Sequence, residues 1–346
     1  MHQPKVSVVI IHWNRRNLLE QFLPFLVKST YSNLELVVAD NNSDDDSIAF
    51  VKANYPNITI VKNDDNYGYA GGYNHALKQV NADYFVLLNN DIEVTPNWIE
   101  PVIEAMEKDK TIAAAQPKML DYNNRNKFEY AGAGGGYMDL FGYAFCRGRI
   151  FEVLEEDKGQ YNDTHSAFWA TGACMFVRAE VFKKLHGFDE HFFAHMEEID
   201  LCWRMQLHGH TLVTVPQSVV YHVGGGTLNK QSPQKTYLNF RNNLIMLTKN
   251  LPVSTLLWLI PLRSTLDLLS SIFFMMNGLP NYSLAIHKAH SDYFFKFGKW
   301  WKLRKINNTF KPFNQLHGIY KGSIVADHFM KKVKYFTQLN GNKFTG

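Results

Sequence analysis

Four runs near the N-terminus are apolar almost without interruption: VSVVIIH (6–12), LELVVAD (34–40), ITIVK (58–62) and YFVLLNN (84–90). Segments of helical length and pattern separate them. This alternation predicts βαβ units and a parallel sheet with helices on both faces. The scarcity of polar positions within each run fits strands covered on both sides. Further along, TGACMFVRAEVF (171–182) reads as a strand entering a helix, and HGFDEHFFAHMEEIDLCWR (186–204) as a turn followed by a second helix. The stretch LPVSTLLWLIPLRSTLDLLSSIFFMMN (251–277) is apolar but broken by Arg263 and Asp267, so its uninterrupted runs fall short of the roughly 20 residues that a membrane span requires. On a helical wheel Arg263, Ser264, Asp267, Ser270 and Ser271 gather on one side. The pattern predicts a helix lying in the plane of a membrane interface; a helix buried against the main domain is the alternative.

Polar clusters follow the four apolar runs: His12-Trp13-Asn14, Asp40-Asn41-Asn42-Ser43-Asp44, Asn66-Tyr67-Gly68 with Ala70-Gly71-Gly72, and Asn89-Asn90-Asp91. Each alone is explained by turn and helix-cap chemistry. Together they mark one edge of one sheet, and ligands of such sheets bind beyond the carboxyl ends of the strands. The glycines lack both G-x-G-x-x-G and G-K-[ST] spacing, which argues against dinucleotide and P-loop sites. In the second helix Glu197, Glu198 and Asp200 fall in the first turn, where the helix dipole favours acids, yet three carboxylates exceed what capping requires. One of them near Asp91 would suit a general base beside a metal-holding carboxylate. His222 ends the apolar run VVYH, as a metal or phosphate contact or as a satisfied core histidine.

Composition is that of an ordinary globular chain: 346 residues, 46% hydrophobic and 20% charged, long enough for two domains. Cys146, Cys174 and Cys202 show neither disulfide-framework nor zinc spacing, so a reducing compartment is expected. The N-terminal residues read as a first strand rather than a secretory signal. The net charge of +4 hides an asymmetry, because residues 287–346 carry twelve Lys/Arg against two Asp/Glu on an otherwise acidic body. Aromatic residues interleave with that charge (Tyr293, Phe294, Phe295, Phe297, Trp300, Trp301), which suits a nucleic-acid or an anionic membrane surface, with a solvated helical face over a core stripe as the alternative. Nucleic acid is not expected, since the carboxylate-rich body would repel phosphate backbones.

The motifs VSVVIIHWNR, VVADNNSDDDS, NYGYAGGYN, LLNNDIEV, TGACMFVR, GFDEHFFAHMEEIDLCWR and VVYHVGG, in this order from Val6 to about Asn250, resemble the family 2 glycosyltransferases of GT-A fold. The likeness is to their bacterial rhamnosyltransferase and galactofuranosyltransferase-like branch. It implies an α/β fold, Rossmann-like, with a mostly parallel sheet flanked by helices. A GT-A domain would occupy 1–250, its nucleotide-binding part about 1–120 and its acceptor part about 121–230. A basic, amphipathic, membrane-associating helical region would follow at 251–346.

The resemblance also implies roles. His12, Asn14, Asp40, Asn41, Asn66, Gly68, Gly71, Gly72, Asn89 and Asn90 would bind the nucleotide sugar. Asp91 would hold Mg²⁺ or Mn²⁺ in the D-x-D position, where Asn89 replaces the usual first acid, and His222 would complete that metal or diphosphate site. Glu198 would be the catalytic base, in a place where the family commonly has Asp, with Glu197 and Asp200 in support. The implied activity is an inverting, metal-dependent transfer of a sugar, rhamnose favoured, from a dTDP- or UDP-sugar donor to a saccharide acceptor. That acceptor would be linked to polyprenyl diphosphate, at the inner face of the cell membrane, in surface polysaccharide synthesis. An inactive GT-A-like saccharide- or partner-binding protein is the alternative, and donor turnover separates the two. Trp169, His195 and Trp203 are sugar platforms or core. The glycine-rich stretch 131–148 is a loop over the pocket or a tight structural turn.

Overall fold

The computed structural model describes residues 3–224, 232–307 and 309–346; the Gly225 end of the VVYHVGG motif and the end of the expected acceptor part lie outside them. The N-terminal half alternates strand and helix: β1 Val6–His12, α1 Arg16–Leu26, β2 Leu34–Asp40, α2 Ser47–Asn54, β3 Thr59–Lys62, α3 Gly68–Leu77, β4 Tyr84–Asn89. The chain continues through β5 Ile92–Val94, α4 Glu100–Lys108 and β6 Ile112–Asp121, then a small sheet region of β7 Gly136–Asp139, β8 Ala144–Cys146, β9 Arg149–Ile150 and β10 Val153–Leu154. After β11 His165–Ser166 come β12 Cys174–Arg178, α5 Ala179–Lys184, α6 Glu197–Leu207 and β13 Thr211–His222. The C-terminal part holds α7 Pro233–Asn250, α8 Val253–Met276, α9 Pro280–Phe295, α10 Phe297–Leu303, β14 Ile319–Tyr320 and α11 Ile324–Phe329.

Among the described residues the large sheet runs β11-β13-β6-β12-β4-β1-β2-β3, with β5 paired to β13. The part β3-β2-β1-β4 is parallel, as the repeated βαβ pattern predicts. Beyond it β12 enters antiparallel between β4 and β6, so the whole sheet is mixed. Neighbouring positions of each strand serve opposite faces. Val8 and Ile10 pack with Leu19 and Leu23 of α1, Val51 of α2 and Met106 of α4. Val9 and Val37 pack with Tyr73 and Ala76 of α3 and belong to the same core as Trp203 of α6 and Leu247 of α7. Both faces are thus covered, which is why the strands carry so few polar residues.

The stretch 131–148 is a structural hairpin rather than an open loop. β7 pairs with β8, and a Cβ at Gly136 would fall about 2.1 Å from the Trp169 ring, closer than any side chain permits. β14 pairs in parallel with β7, so the chain returns from α10 to the smaller sheet, where Phe313, Leu316 and Ile319 join the main core. The segment 251–346 therefore has two parts: an outer layer of α8, α9 and α10, and a terminal part built into the smaller sheet.

Candidate active site

The carboxyl ends of β1, β2 and β4, the loop before α3, and the start of α6 converge on a cavity of about 330 Å³. His12, Asn41, Asn66, Gly68, Asn89, Asn90, Asp91, Glu197, Glu198 and His222 all line it. Of the residues expected to bind donor or metal or to catalyse, the structure brings these ten together. A cavity of about 410 Å³ lies at the start of β4 instead, against Asp83, Tyr84 and Arg178. There the Tyr84 hydroxyl and Arg178 bond to each other and Tyr84 donates to Glu107, so its polar groups already serve one another.

The remaining expected residues shape the cavity from behind. Asp40 is buried and its Oδ1 accepts from Ser43 N at 2.9 Å, fixing the turn after β2. Asn14 ties that turn to β1: its N–H donates to Ser43 Oγ at 2.9 Å and its Oδ1 accepts from Asp44 N at 3.0 Å. A Cβ at Gly72 would meet Ile11 at 2.7 Å and the Asn41 amide at 3.0 Å, so glycine is what lets α3 approach β1 and β2. Gly71 packs likewise on Tyr67. Asn41 then donates to Asn66 Oδ1 and Gly68 O, both at 2.9 Å, and accepts from Asn63 at 3.0 Å. The side-chain amides of Asn41, Asn63 and Asn66 thus hold one another. Asp200 does not line the cavity. It is fully buried, accepting from Arg204 Nε at 2.9 Å, Lys249 Nζ at 2.9 Å and Asn250 Nδ2 at 2.8 Å.

Asp91 sits between β4 and β5, and strand pairing brings His222 to it. β13 runs antiparallel to β5 with His222 opposite Ile92, and Val223 N donates to Asp91 O at 3.1 Å. His222 Nε2 then lies 3.1 Å from Asp91 Oδ1, while Nδ1 lies 3.2 Å from Glu129 Oε1. Burial alone would lower the pKa of this imidazole, but the Glu129 and Asp91 carboxylates outweigh it and raise it to about 10. Glu129 is buried and was invisible in the sequence, where it stands alone in a loop. His12 is paired through Nδ1 with the Asn90 amide at 3.0 Å, and its Nε2 has no hydrogen-bond partner. Burial pushes its pKa down to about 4, keeping the ring neutral.

A strained loop presents Glu197 and Glu198. Phe193, His195 and Met196 all have positive φ (63°, 69° and 73°), which costs energy in side chains other than glycine. Asn242 of α7 holds this loop: its Nδ2 lies 3.0, 2.9 and 2.7 Å from the carbonyls of Phe192, Ala194 and His195. Gly68 accommodates it from the other side, since a Cβ there would strike the Phe193 ring at 2.6 Å. α6 thus starts at the cavity, with Oε2 of both Glu197 and Glu198 shielded from solvent and without a hydrogen-bond partner. Burial raises the Glu198 pKa to about 7. Burial and the adjacent Glu198 charge push Glu197 well above the usual carboxylate range. Such a displaced pair in a cleft suits acid–base chemistry.

Trp169 and His195 also line the cavity, whereas Trp203 is core, packed edge-on to Phe168. Burial lowers the His195 pKa to about 4, and its Nε2 is shielded and unpartnered. Tyr69, Thr171 and Lys235 were missed by sequence reasoning and line the wall as well. Only their placement in the fold identifies them.

The family model for glycosyl transferase family 2 matches residues 7–186, more than half of the chain. The chain is 24% identical over 277 residues to an N-acetylglucosaminyl-diphospho-decaprenol L-rhamnosyltransferase of Mycobacterium tuberculosis, covering 75% of this chain and 89% of that protein. It is 27% identical to the O-antigen biosynthesis protein RfbC of Myxococcus xanthus, over 63% of this chain and 17% of that much longer protein. Among solved structures, GalNAc-T7 with UDP, GalNAc and Mn²⁺ superposes with a TM-score of 0.56 at 17% identity, covering 72% of this chain and 48% of that one. The mannosyltransferase PcManGT of Pyrobaculum calidifontis, with GDP-Man and Mn²⁺, gives 0.51 at 16% identity over 88% and 85%. At these identities the two structures establish a shared GT-A fold.

Proposed function

The chain belongs to glycosyl transferase family 2 and is a glycosyltransferase; from this premise we propose that it moves a sugar from a nucleotide donor to a lipid-linked saccharide with inversion. The observation that carries the proposal is that one cavity holds both the Asp91–His222 pair and the Glu197–Glu198 pair. The first suits the leaving diphosphate and the second the attacking hydroxyl.

Asn41, Asn66 and the backbone around Gly68 receive the nucleotide and sugar. Glu198, with a pKa of about 7, takes the proton of an acceptor hydroxyl near neutral pH. The hydroxyl oxygen bonds to the anomeric carbon from the face opposite the nucleotide. The bond from that carbon to the diphosphate breaks, and the nucleoside diphosphate leaves with the electron pair. Glu197, held protonated, is a hydrogen-bond donor to the acceptor.

Asp91 and His222 would hold a divalent cation, Mg²⁺ or Mn²⁺, once the cation displaces the Nε2 proton that pairs the imidazole with Asp91. Among the described residues no group of three or more acidic, histidine or cysteine side chains is placed to hold a metal, so the protein offers one carboxylate and one imidazole and leaves other positions to the diphosphate and water. Glu129 Oε1, 3.2 Å from Nδ1, places a second carboxylate charge on the far side of the ring from Asp91. When bound, the cation neutralises charge on the departing diphosphate.

We favour rhamnose, carried by dTDP or UDP, and an acceptor linked to polyprenyl diphosphate; the name of the mycobacterial relative supports the sugar and the acceptor, not the nucleotide. The enzyme would act at the inner face of the cell membrane in surface polysaccharide synthesis. The test is a thermal-shift panel of nucleotide sugars with Mn²⁺ and with EDTA, followed by transfer assays. One donor should raise Tm in a metal-dependent way, and Asp91→Ala should abolish the metal-dependent part. Equal stabilisation of wild type and Asp91→Ala would remove Asp91 from the metal site.

A further inference from the structure

The outer layer of α8, α9 and α10 is built inside out. On α8 the polar residues read from the wheel face the protein: Arg263, Asp267 and Ser271 are buried, while Leu257, Leu269, Phe273 and Met276 are 75%, 57%, 60% and 82% exposed. Arg263 donates to Phe141 O at 3.1 Å and lies 3.8 Å above the Tyr143 ring. Asp267 accepts from Arg263 at 3.3 Å and lies 3.0 Å from His290 Nε2 on α9. Ser271 Oγ lies 2.6 Å from Ser283 Oγ and 3.0 Å from His287 Nε2, again on α9. These polar contacts fasten α8 to the body and leave its apolar side outward. Continuing outward faces carry Phe294, Phe295 and Trp301, at 52%, 88% and 40% exposure.

We propose that the outward faces of α8, α9 and α10 form one docking surface for an anionic phospholipid bilayer, with α8 lying in the plane of the membrane. α8 is long and apolar enough to cross a bilayer by length and composition alone. Crossing would strip Arg263 and Asp267 from their partners and carry both into hydrocarbon, at a cost of several kcal/mol. Lying in the plane keeps every one of those contacts and buries only the exposed side. Charge selects the lipid. Lys288, Lys296, Lys299, Lys302 and Lys305 lie along α9, α10 and the turn after it, with Asp292 the single acid from 288 to 305, and exposed aromatic residues stand between them. A headgroup layer of negative charge over an apolar interior complements this mixture. A protein partner would need matching acids set among apolar residues.

The surface also has an address relative to the cavity. Ala194, in the cavity wall, packs in the same cluster as Leu238 of α7 and Ala285 and Ala289 of α9. Lys235, in the first turn of α7, lines the cavity, and Lys288 of α9 lies 5.1 Å above the Tyr237 ring one helical step further on. A bilayer on α9 therefore places headgroups beside the Glu197–Glu198 side of the site, where an acceptor whose diphosphate is anchored in the membrane would enter. This last step rests on the proposed reaction; the docking surface does not.

Flotation of the full-length protein with vesicles, in the absence of any sugar nucleotide, tests the surface. Protein should float with phosphatidylcholine–phosphatidylglycerol vesicles, less with phosphatidylcholine alone, and the difference should shrink as salt rises. Leu269→Glu/Phe273→Glu should lower partitioning at least about tenfold, and Lys296→Glu/Lys299→Glu should remove the preference for anionic lipid. Neither variant should alter Tm or transfer to a water-soluble acceptor. Wild-type protein that stays unbound, or a Leu269→Glu/Phe273→Glu variant that floats equally, overturns the proposal. So does a concentration-dependent dimer that the same variant abolishes while vesicle binding is absent, because a second copy would then cover this face. Flotation without turnover of any donor would leave the surface standing and remove the transfer reading instead.

Discussion

Two buried carboxylate pairs flank the start of α6, and they are treated in opposite ways. Asp189 and Asp200 share Lys249, whose Nζ lies 2.6 Å from one and 2.9 Å from the other, and Asp200 also receives Arg204 and Asn250. Burial would raise the Asp189 pKa, yet bonds from His191 and the Lys249 charge hold it well below the usual carboxylate range. Glu197 is buried and Glu198 partly buried at the cavity, but Oε2 of each is shielded and unpartnered and both pKa values are raised. A buried carboxylate is tolerable when cations and amides satisfy it and costly when they do not. The first pair fastens α6 to α7 and to the turn before it. The second is left unsatisfied where an acceptor hydroxyl can supply what is missing. On the proposed reaction, the difference would separate a structural use of acid from a chemical one within residues 189–200.

Breaking each pair should therefore damage different properties. Glu198→Gln removes the base and should lower kcat by about 10²–10⁴-fold, with metal-dependent donor stabilisation intact. Transfer at the wild-type rate would assign the base elsewhere, Glu197 first. Because the neutral amide needs no desolvation of charge, this variant should also melt a few degrees above wild type at pH 8. Lys249→Met should do the reverse. Removing the cation shared by two buried carboxylates should cost about 3–5 kcal/mol of stability in denaturant unfolding, while the folded fraction keeps donor binding. A loss under about 1 kcal/mol would mean that this cluster behaves as a surface ion pair and that the contrast is weaker than its burial implies.

How much of this was legible before the structure depends on the range of the contacts involved. β1 and β2 were bounded to the residue and β3 and β4 to within one, because strands covered on both faces are apolar throughout and end in polar clusters. The clusters also marked the edge of the sheet where the cavity lies. Asp200 looked like Glu197 and Glu198 in sequence, being in the same helical turn, but its partners Lys249 and Asn250 lie some fifty residues away and only packing brings them there. Glu129 escaped notice for the same reason, since a lone acid in a loop gains meaning only when β13 delivers His222 to it. The wheel correctly gathered Arg263, Asp267 and Ser271 on one side of α8. It could not say that this side faces protein, because amphipathicity defines a stripe, and His290, Ser283 and Phe141 determine what the stripe meets.

The finest separation of the two pairs is by pH. Glu198 has its folded pKa raised to about 7, above the ordinary carboxylate value of 4.5, so its neutral form favours the folded state. That contribution is complete below about 4.5 and is lost as pH rises to about 7. Asp189 is depressed in the folded state, so its contribution is present above its ordinary value of 3.8 and is lost as pH falls below it. The difference in Tm between Glu198→Gln and wild type should therefore grow from pH 4.5 to 7 and then level off, whereas an Asp189→Asn variant should lose most stability near neutrality and progressively less as pH falls below 3.8. In the same window kcat should rise with pH along an acid limb centred near 7, because only the ionised Glu198 accepts the acceptor's proton. A limb near 4.5, with no pH dependence in the Tm difference, would mean that Glu198 is solvated and paired in solution as Asp189 is, and the contrast between the two ends of this acidic segment would disappear.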